Sequence, residues 1–402
     1  MAEADPLEHR FRNPYALYAM ARNARVLRDP TSSFWLITRY DDVDAILKDK
    51  RFGKKALPGT EHRLPFADRT EQRDRLAILN IDPPDHTRIR GLLSKAFNAH
   101  RMEAMRPAIE ALASSILDRH LATERGGRRE MEIMRDYAFP IPATIISDML
   151  GIPERDRERF AELSNALIGF GTGVQIGMDP MESRVKAQSI AAAFDGYLGE
   201  LFAAKRATPS DDLTSALIRA EDERGQLSEI ELTQNVRLLF MAGHETTVNL
   251  IGNAVVALFN HPAELARLKA DPTLMPAAVE EFLRYDSSVQ QLPRVAQEDV
   301  EIAGQQIRAG EMVVCLLGSA NRDPDVYQDP DRLDVTRPFV RSKSFGGGIH
   351  FCLGAQLARI ETEVALNTLL ARLPNLEITN LAAVEYPMNP FFRGPAKLFA
   401  RW

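Results

Sequence analysis

The sequence predicts a mainly α protein with a minor β component, organised as one domain over residues 1–402. Three observations carry that expectation. Apolar residues recur at helical spacing over 102–122, 142–150, 154–169, 181–206 and 210–222. Ser228-Glu229-Ile230-Glu231 forms a capping box that opens an apolar helix reaching Phe259; at 1.5 Å per residue its thirty or so residues extend roughly 45 Å, enough to cross a domain. Strand-like pieces are few and short, and no Pro/Ser/Gly-rich linker or low-complexity tract divides the chain.

In chain order, Phe34-Trp35-Leu36-Ile37-Thr38 reads as a strand, being aromatic and β-branched. Asp41 or Asp42 is expected to cap a short helix through Leu47. Residues 54–75 read as loop, and Pro83-Pro84 halts the chain before a helix from about Asp85. Gly169-Phe170-Gly171-Thr172-Gly173 has a phosphate-loop look, but no strand precedes it, so a mobile interhelical loop is expected. Asn260-His261-Pro262 ends the long helix, and another begins near Pro276. Residues 312–317 and 377–379 complete the β component.

Of 402 residues 45% are hydrophobic and 26% charged, which is ample for a large core. The formal net charge of −6 is mild, so bulk electrostatics argue neither for nor against a nucleic-acid partner. The acidic, polar start has no signal-peptide pattern, and the longest apolar stretch falls short of the ~20 residues a membrane span needs. Two cysteines cannot build a disulfide framework, which suits a reducing compartment. A cytoplasmic protein is expected.

One of those cysteines, Cys352, lies in Phe345-Gly346-Gly347-Gly348-Ile349-His350-Phe351-Cys352-Leu353-Gly354, directly ahead of a periodic helix. Glycines permit positive φ or close approach to a flat body. A cysteine at a helix start meets unpaired N–H groups and the positive dipole end, which favour its thiolate. Spacing alone leaves three readings open: a ligand to a metal-centred cofactor, a nucleophile with His350 as base, or a buried structural thiol. A dinucleotide loop is disfavoured because Phe351 stands where the third glycine belongs, and zinc because the other cysteine is the distant Cys315.

The middle of the long helix carries Ala242-Gly243-His244-Glu245-Thr246-Thr247. A His-Glu-x-x-His metal site fails at Val248. Glycine loosens a helix and a threonine hydroxyl competes for its carbonyls, so the helix can bulge here and admit water or a small ligand. An acid beside a hydroxyl can relay protons; a satisfied polar cluster at a helix contact fits equally. Glu281 and Arg284 are i,i+3 and can pair. His86 and Arg90, i,i+4 on one helix, and Arg294 and His350 are donors suited to carboxylates, though singly each also fits a surface charge.

Together these pieces resemble the cytochrome P450 family over nearly the whole chain. The cysteine signature of that family is matched by Phe345, Gly346, Gly348, His350, Cys352 and Gly354, its oxygen-activating segment by Gly243, Glu245 and Thr246, and its Glu-x-x-Arg pair by Glu281 and Arg284, with Arg337 as third partner. Its haem-propionate pair is matched by His86 and Arg90, with Arg294 at a further propionate position, and Arg393-Gly394-Pro395 is similar to its closing strand. The resemblance implies haem b, iron protoporphyrin IX, ligated by Cys352 and lying between the long central helix and the cysteine-loop helix. It implies propionate contacts from His86, Arg90, Arg294 and His350, and cofactor contacts from Phe345, Gly346, Gly354 and Ala242. Glu245 and Thr246 are implied to be catalytic, delivering protons during O₂ activation. Glu281, Arg284 and Arg337 are implied to support the cysteine loop without touching substrate.

The activity so implied is a monooxygenase that inserts one O₂-derived oxygen atom into an apolar, natural-product-like substrate such as a polyketide, terpenoid or steroid. A fatty-acyl hydroxylase and a non-catalytic haem sensor or electron carrier are the alternatives, with a Cys352–His350 hydrolase a third. No flavin or ferredoxin domain is fused, so a separate ferredoxin and its reductase are implied, with no nucleic acid or membrane partner and a monomeric state. Substrate contacts are expected in 54–80, 163–180, 237–241, 287–292 and 391–392. Arg341-Ser342-Lys343-Ser344 stands where many bacterial relatives carry a His-Leu pair, and Arg341, Lys343 and Arg359 are expected to form a basic patch for an acidic ferredoxin.

Overall fold

The computed structural model describes residues 13–60, 76–122, 129–171, 180–222 and 225–402. Its longer helices are α1 (Tyr15–Ala21), α2 (Tyr40–Lys48), α3 (Asp85–Ala96), α4 (Arg106–Ala122), α5 (Pro140–Leu150), α6 (Arg157–Gly171), α7 (Pro180–Ala207), α8 (Leu213–Arg219), α9 (Glu229–Asn260), α10 (Pro262–Ala270), α11 (Met275–Tyr285) and α12 (Ala355–Arg372). The expected α9 capping box is formed: the Ser228 N–H donates to Glu231 Oε2 at 2.8 Å and the Glu231 N–H to Ser228 Oγ at 3.3 Å. No described helix is long and apolar enough to cross a membrane.

Some boundaries differ from expectation for local reasons. At α2 the N-cap is Arg39, and the Tyr40 N–H is taken by Asp323 Oδ2 at 2.9 Å; Asp41 and Asp42 sit in the first turn, where they still oppose the dipole. The 102–122 pattern divides into Ala99–Glu103 and α4. The 210–222 pattern starts late because Asp212 caps α8, accepting the Ser215 N–H at 2.7 Å, and stops at Arg219 before a two-stranded hairpin. Gly169 and Gly171 lie inside α6 rather than in a loop, and the rest of the expected loop lies outside the described residues.

The contacts of the chain group it into two compact units. Residues 1–52, 103–141 and 246–402 form the first, and 53–102 and 142–245 the second, so α9 contributes its N-terminal half to one and its C-terminal half to the other. The first unit holds the main sheet. In it Met312–Leu316 lies between Trp35–Ile37 (parallel) and Gln291–Ala296 (antiparallel), with Cys315 opposite both Ile37 and Leu292, and Val313 opposite Arg294. Ile37, Val313 and Cys315 are fully buried against Val43, Ile46 and Leu47 of α2, which makes Cys315 a buried structural thiol. In the same unit α12 buries an almost continuous apolar set, including Leu357, Ile360, Leu366 and Leu369.

The second unit packs α6, α7 and the first half of α9 around an aromatic cluster. The Phe160 ring lies 4.5 Å from Phe194 and 4.4 Å, edge-on, from Phe240. Arg88 of α3 pairs with Glu231 at the start of α9, so the capping glutamate also ties two helices.

Candidate functional site

The cysteine loop is a tight backbone object. Gly346 has φ +67° and Gly348 φ +64°, the left-handed region that glycine enters without penalty. A Cβ on Gly348 would also stand 2.0 Å from the Leu47 carbonyl oxygen of α2, so glycine is required there twice over. The Gly346 N–H donates to the Lys343 carbonyl at 2.7 Å and the Cys352 N–H to the Phe345 carbonyl at 3.0 Å. Gly348–His350 forms one 3₁₀ turn, Gly354 caps α12, and the Cys352 side chain is exposed just ahead of that helix. Cys352 therefore stands two residues before the N-cap rather than on the first turn of α12. Phe345 and Phe351 face each other edge-on at 6.3 Å, with the Arg359 guanidinium over the former and Arg341 over the latter.

Arg294 stands in the strand Gln291–Ala296, only 2% exposed, its Nη1 donating to the Pro293 carbonyl at 2.9 Å. The neighbouring Leu292 reaches Gly346, where an added Cβ would lie 3.1 Å from Leu292 Cδ1, so this strand and the cysteine loop are in direct contact.

Beneath the loop the expected Glu281, Arg284 and Arg337 triad is assembled, with Glu281 and Arg284 buried and Arg337 half-buried. Arg284 donates to both Glu281 oxygens, Nε to Oε2 at 2.7 Å and Nη2 to Oε1 at 2.8 Å, and Arg337 Nε reaches the same carboxylate at 3.1 and 3.2 Å. Arg284 Nη1 also donates to the Asn321 carbonyl at 3.1 Å. Asn321 passes the constraint on: its Oδ1 accepts the Lys343 N–H at 2.6 Å, and its Nδ2 donates to Ser344 Oγ at 2.9 Å. Ser344 Oγ in turn donates to the Leu283 carbonyl at 2.5 Å. A chain of hydrogen bonds thus runs from Glu281 to the two residues preceding Phe345. Asn321 and Ser344 escape a sequence reading because lone Asn and Ser residues carry no periodicity or spacing.

Along α9 the burial pattern separates two faces. Ala242 is exposed and Glu245, Thr246 and Asn249 are half-buried, at steps of three and four that put them on one side. His244 and Thr247 lie on the other, fully or almost fully buried. Through this segment α9 continues without a break, from Glu229 to Asn260. Gly243 serves close packing: a Cβ there would meet Ile146 Cγ1 of α5 at 3.0 Å. Burial lowers the His244 pKa to about 4, and its Nδ1 contacts the Phe240 carbonyl at 2.8 Å, which makes it a neutral ring donating inside the helix.

One titratable group passed unnoticed in the sequence. Glu361 on α12 is 1% exposed, and both its carboxyl oxygens are buried without a hydrogen-bond partner among the described residues. Burial drives its pKa well above the ordinary carboxyl value, opposed by the nearby Thr247 hydroxyl. Burial thus disfavours the charged form of Glu361, whose neighbour Thr247 follows Thr246 on α9.

In the second unit His86 and Arg90 share a face of α3, as their spacing requires. His86 is 2% exposed, and burial together with the Arg90 charge keeps it neutral by lowering its pKa. Of the expected substrate segments, 287–292 and 391–392 do converge: Val289 bridges to Phe392, and the Gln290 N–H donates to the Phe391 carbonyl at 2.8 Å. Arg237 instead is buried, donating to Asp195 of α7 at 3.0 Å and to Gln234. The stretches 61–75 and 172–179 lie outside the described residues. The expected basic patch does not form: Lys343 is 4% exposed and paired with Asp44, and Arg359 is paired with Glu280, so Arg341 alone keeps an exposed charge.

Comparison with known proteins agrees with this geometry. The family model for cytochrome P450 matches residues 26–379. Cytochrome P450 107B1 of Saccharopolyspora erythraea is 41% identical over 399 residues, covering 96% of this chain and 94% of that one. Among solved structures, the bacillaene polyketide synthase cytochrome P450 PksS of Bacillus subtilis 168 superposes with a TM-score of 0.88 at 35% identity, covering 99% of each chain. The myxobacterial cytochrome P450 CYP267B1, solved with myristic acid, gives 0.88 at 39% identity over 98% of this chain and 97% of that one. With the glycine-bound cysteine, the Glu-Arg-Arg triad and the unbroken helix bearing Glu245 and Thr246 all in place, this chain belongs to the cytochrome P450 family, monooxygenases whose cofactor is haem b.

Proposed function

We propose that the chain as a whole, residues 1–402, works as one haem-thiolate domain that inserts an O₂-derived oxygen atom, by hydroxylation or epoxidation, into an apolar natural-product-like substrate. The observation that carries the reading is the exposed Cys352 thiol, held on a glycine turn at the start of α12 by the bond from its N–H to Phe345. The residues fit the cofactor. A thiol is the donor the iron of this family takes, Arg294 is a buried cation beside the loop, and a Cβ on Gly354 would meet nothing within 4 Å, leaving its face open to a flat ring. When bound, the haem supplies oxygen activation, with the thiolate donor favouring O–O cleavage.

Cys352 is the proposed ligand, with Phe345, Gly346 and Ala242 as further contacts. Arg294, His350, Arg90 and neutral His86 are proposed donors to the haem carboxylates. Glu245 and Thr246, on one face of α9, are the proposed catalytic pair: the Glu245 carboxyl supplies a proton and the Thr246 hydroxyl relays it, releasing its own proton as it accepts the other. Val289, Leu292, Phe391 and Phe392 are half-buried and apolar, which favours an apolar substrate. Relatives named for polyketide biosynthesis support a natural-product scaffold, and the neighbour solved with myristic acid supports a fatty-acyl chain as the second reading. Electrons are proposed to come from a separate ferredoxin and its reductase, with the protein acting as a cytoplasmic monomer.

The test is the reduced carbon-monoxide difference spectrum. The native protein is expected to show the thiolate-type Soret band, and Cys352→His to lose it while retaining haem. An unchanged band in the variant sinks the ligand assignment.

A further inference from the structure

A buried ammonium group costs several kcal/mol unless it is paired, so a lysine placed in the approach to a metal-ligand loop calls for a reason. Lys343 is 4% exposed, and its Nζ lies 2.5 Å from Asp44 Oδ1 and 3.9 Å from the centroid of the Tyr40 ring. Tyr40 and Asp44 are one turn apart on α2. Leu47, on the next turn, presents the carbonyl that forbids a side chain at Gly348. The Tyr40 hydroxyl donates to the Arg341 carbonyl at 2.8 Å. A single face of α2 therefore holds the cysteine loop at both ends, before Phe345 and at the glycine turn.

We propose that Lys343, clamped by Asp44 and Tyr40, is a positioning residue for the Cys352 thiolate, fixing the loop and setting the charge behind it. The covalent path is short: the Lys343 carbonyl accepts the Gly346 N–H at 2.7 Å, and Phe345 between them accepts the Cys352 N–H at 3.0 Å. The charge follows from three side chains. Asp44 is bonded by Lys343 and, at 2.6 Å, by Lys48, so two cations and one anion leave the cluster at +1. Positive charge near a cysteine favours its anion, and for a metal-bound thiolate it weakens electron donation and raises the potential of the iron.

The inference rests on Cys352 being the haem ligand, and the experiment separates the two. In the haem-loaded protein the reduction potential and the reduced carbon-monoxide spectrum are measured for Lys343→Met, Asp44→Asn, the double variant and Lys343→Arg. Lys343→Met takes the cluster to zero and is expected to lower the potential. Asp44→Asn takes it to +2 and is expected to raise it. The double variant restores +1 and is expected to return towards the native value, and Lys343→Arg to match it. A merely structural role moves both single variants the same way; that result, or no movement in either, overturns the proposal. If Lys343→Met fails to load haem, the upward shift in Asp44→Asn still decides, since its absence is fatal. A native protein without the thiolate-type band sinks the ligand assignment instead.

Discussion

Replacing Gly348 by alanine tests whether the cysteine loop is built as tightly as its backbone indicates. Two costs add. At φ +64° an alanine occupies the left-handed region at roughly 1–2 kcal/mol. Its Cβ would stand 2.0 Å from the Leu47 carbonyl oxygen and 3.0 Å from the carbonyl carbon, both backbone atoms of a helix, so the loop or α2 must move. Overpacking of that kind adds about 1–3 kcal/mol, for a total of roughly 2–5 kcal/mol. Gly354→Ala is the matched control. Its φ is −87° and a Cβ there meets nothing within 4 Å, so the fold loses nothing. Urea unfolding followed by far-ultraviolet circular dichroism reads the first effect, and haem per protein reads the second. Gly348→Ala is expected to lower stability by the stated amount and to weaken the thiolate-type Soret band. Gly354→Ala is expected to keep the native unfolding free energy but to bind less haem, because its methyl would project into the open space proposed for the ring. A Gly348→Ala protein as stable as its parent would refute the argument.

Thr246→Ala is expected to leave folding and the thiolate-type band intact while uncoupling turnover, so that more of the consumed reductant appears as hydrogen peroxide; unchanged coupling of reductant to product removes Thr246 from proton delivery. His244 gives a pH dependence of known sign. Its pKa is about 4 in the fold and about 6.5 in the unfolded chain, so the unfolded state takes up the proton first. Its contribution is complete above pH 6.5 and is lost as pH falls towards 4, a loss of about 2 kcal/mol between pH 7 and pH 5. His244→Phe should shrink the difference between urea unfolding free energies at those two pH values by that amount, and an undiminished difference shows that other groups carry it.

What could be read in the sequence is what is local. Cys352 and Gly348 lie four residues apart, and the helical period alone places Glu245 and Thr246 on one side of α9. Glu281 and Arg284 pair because a helix brings i and i+3 together. What could not be read has the opposite character. Gly243 left a bulge possible because a glycine in a helix weakens it, but the residue that explains it, Ile146, lies almost a hundred positions away and occupies the space a side chain would need. The proposed basic patch failed because burial is a tertiary property: Lys343 and Arg359 look like surface charges until Asp44 and Glu280 are found against them.

Lys343 shows why the departure from the family pattern could be seen but not interpreted. The buried Lys343 puts a charge into a packed region, and such a charge persists only with compensation. Asp44 supplies it from 299 positions earlier, on a helix whose next turn also carries the Leu47 carbonyl against Gly348. Asn321 ties the backbone of the same lysine to Arg284, so the triad and the charged clamp meet at one residue. The Asn321 bond is made by the backbone N–H and survives replacement of the side chain, whereas the Asp44 pair is made by the ammonium and is lost with it. Held by both, Lys343 transmits to Phe345, and through it to the Cys352 N–H, any displacement of either α2 or α11.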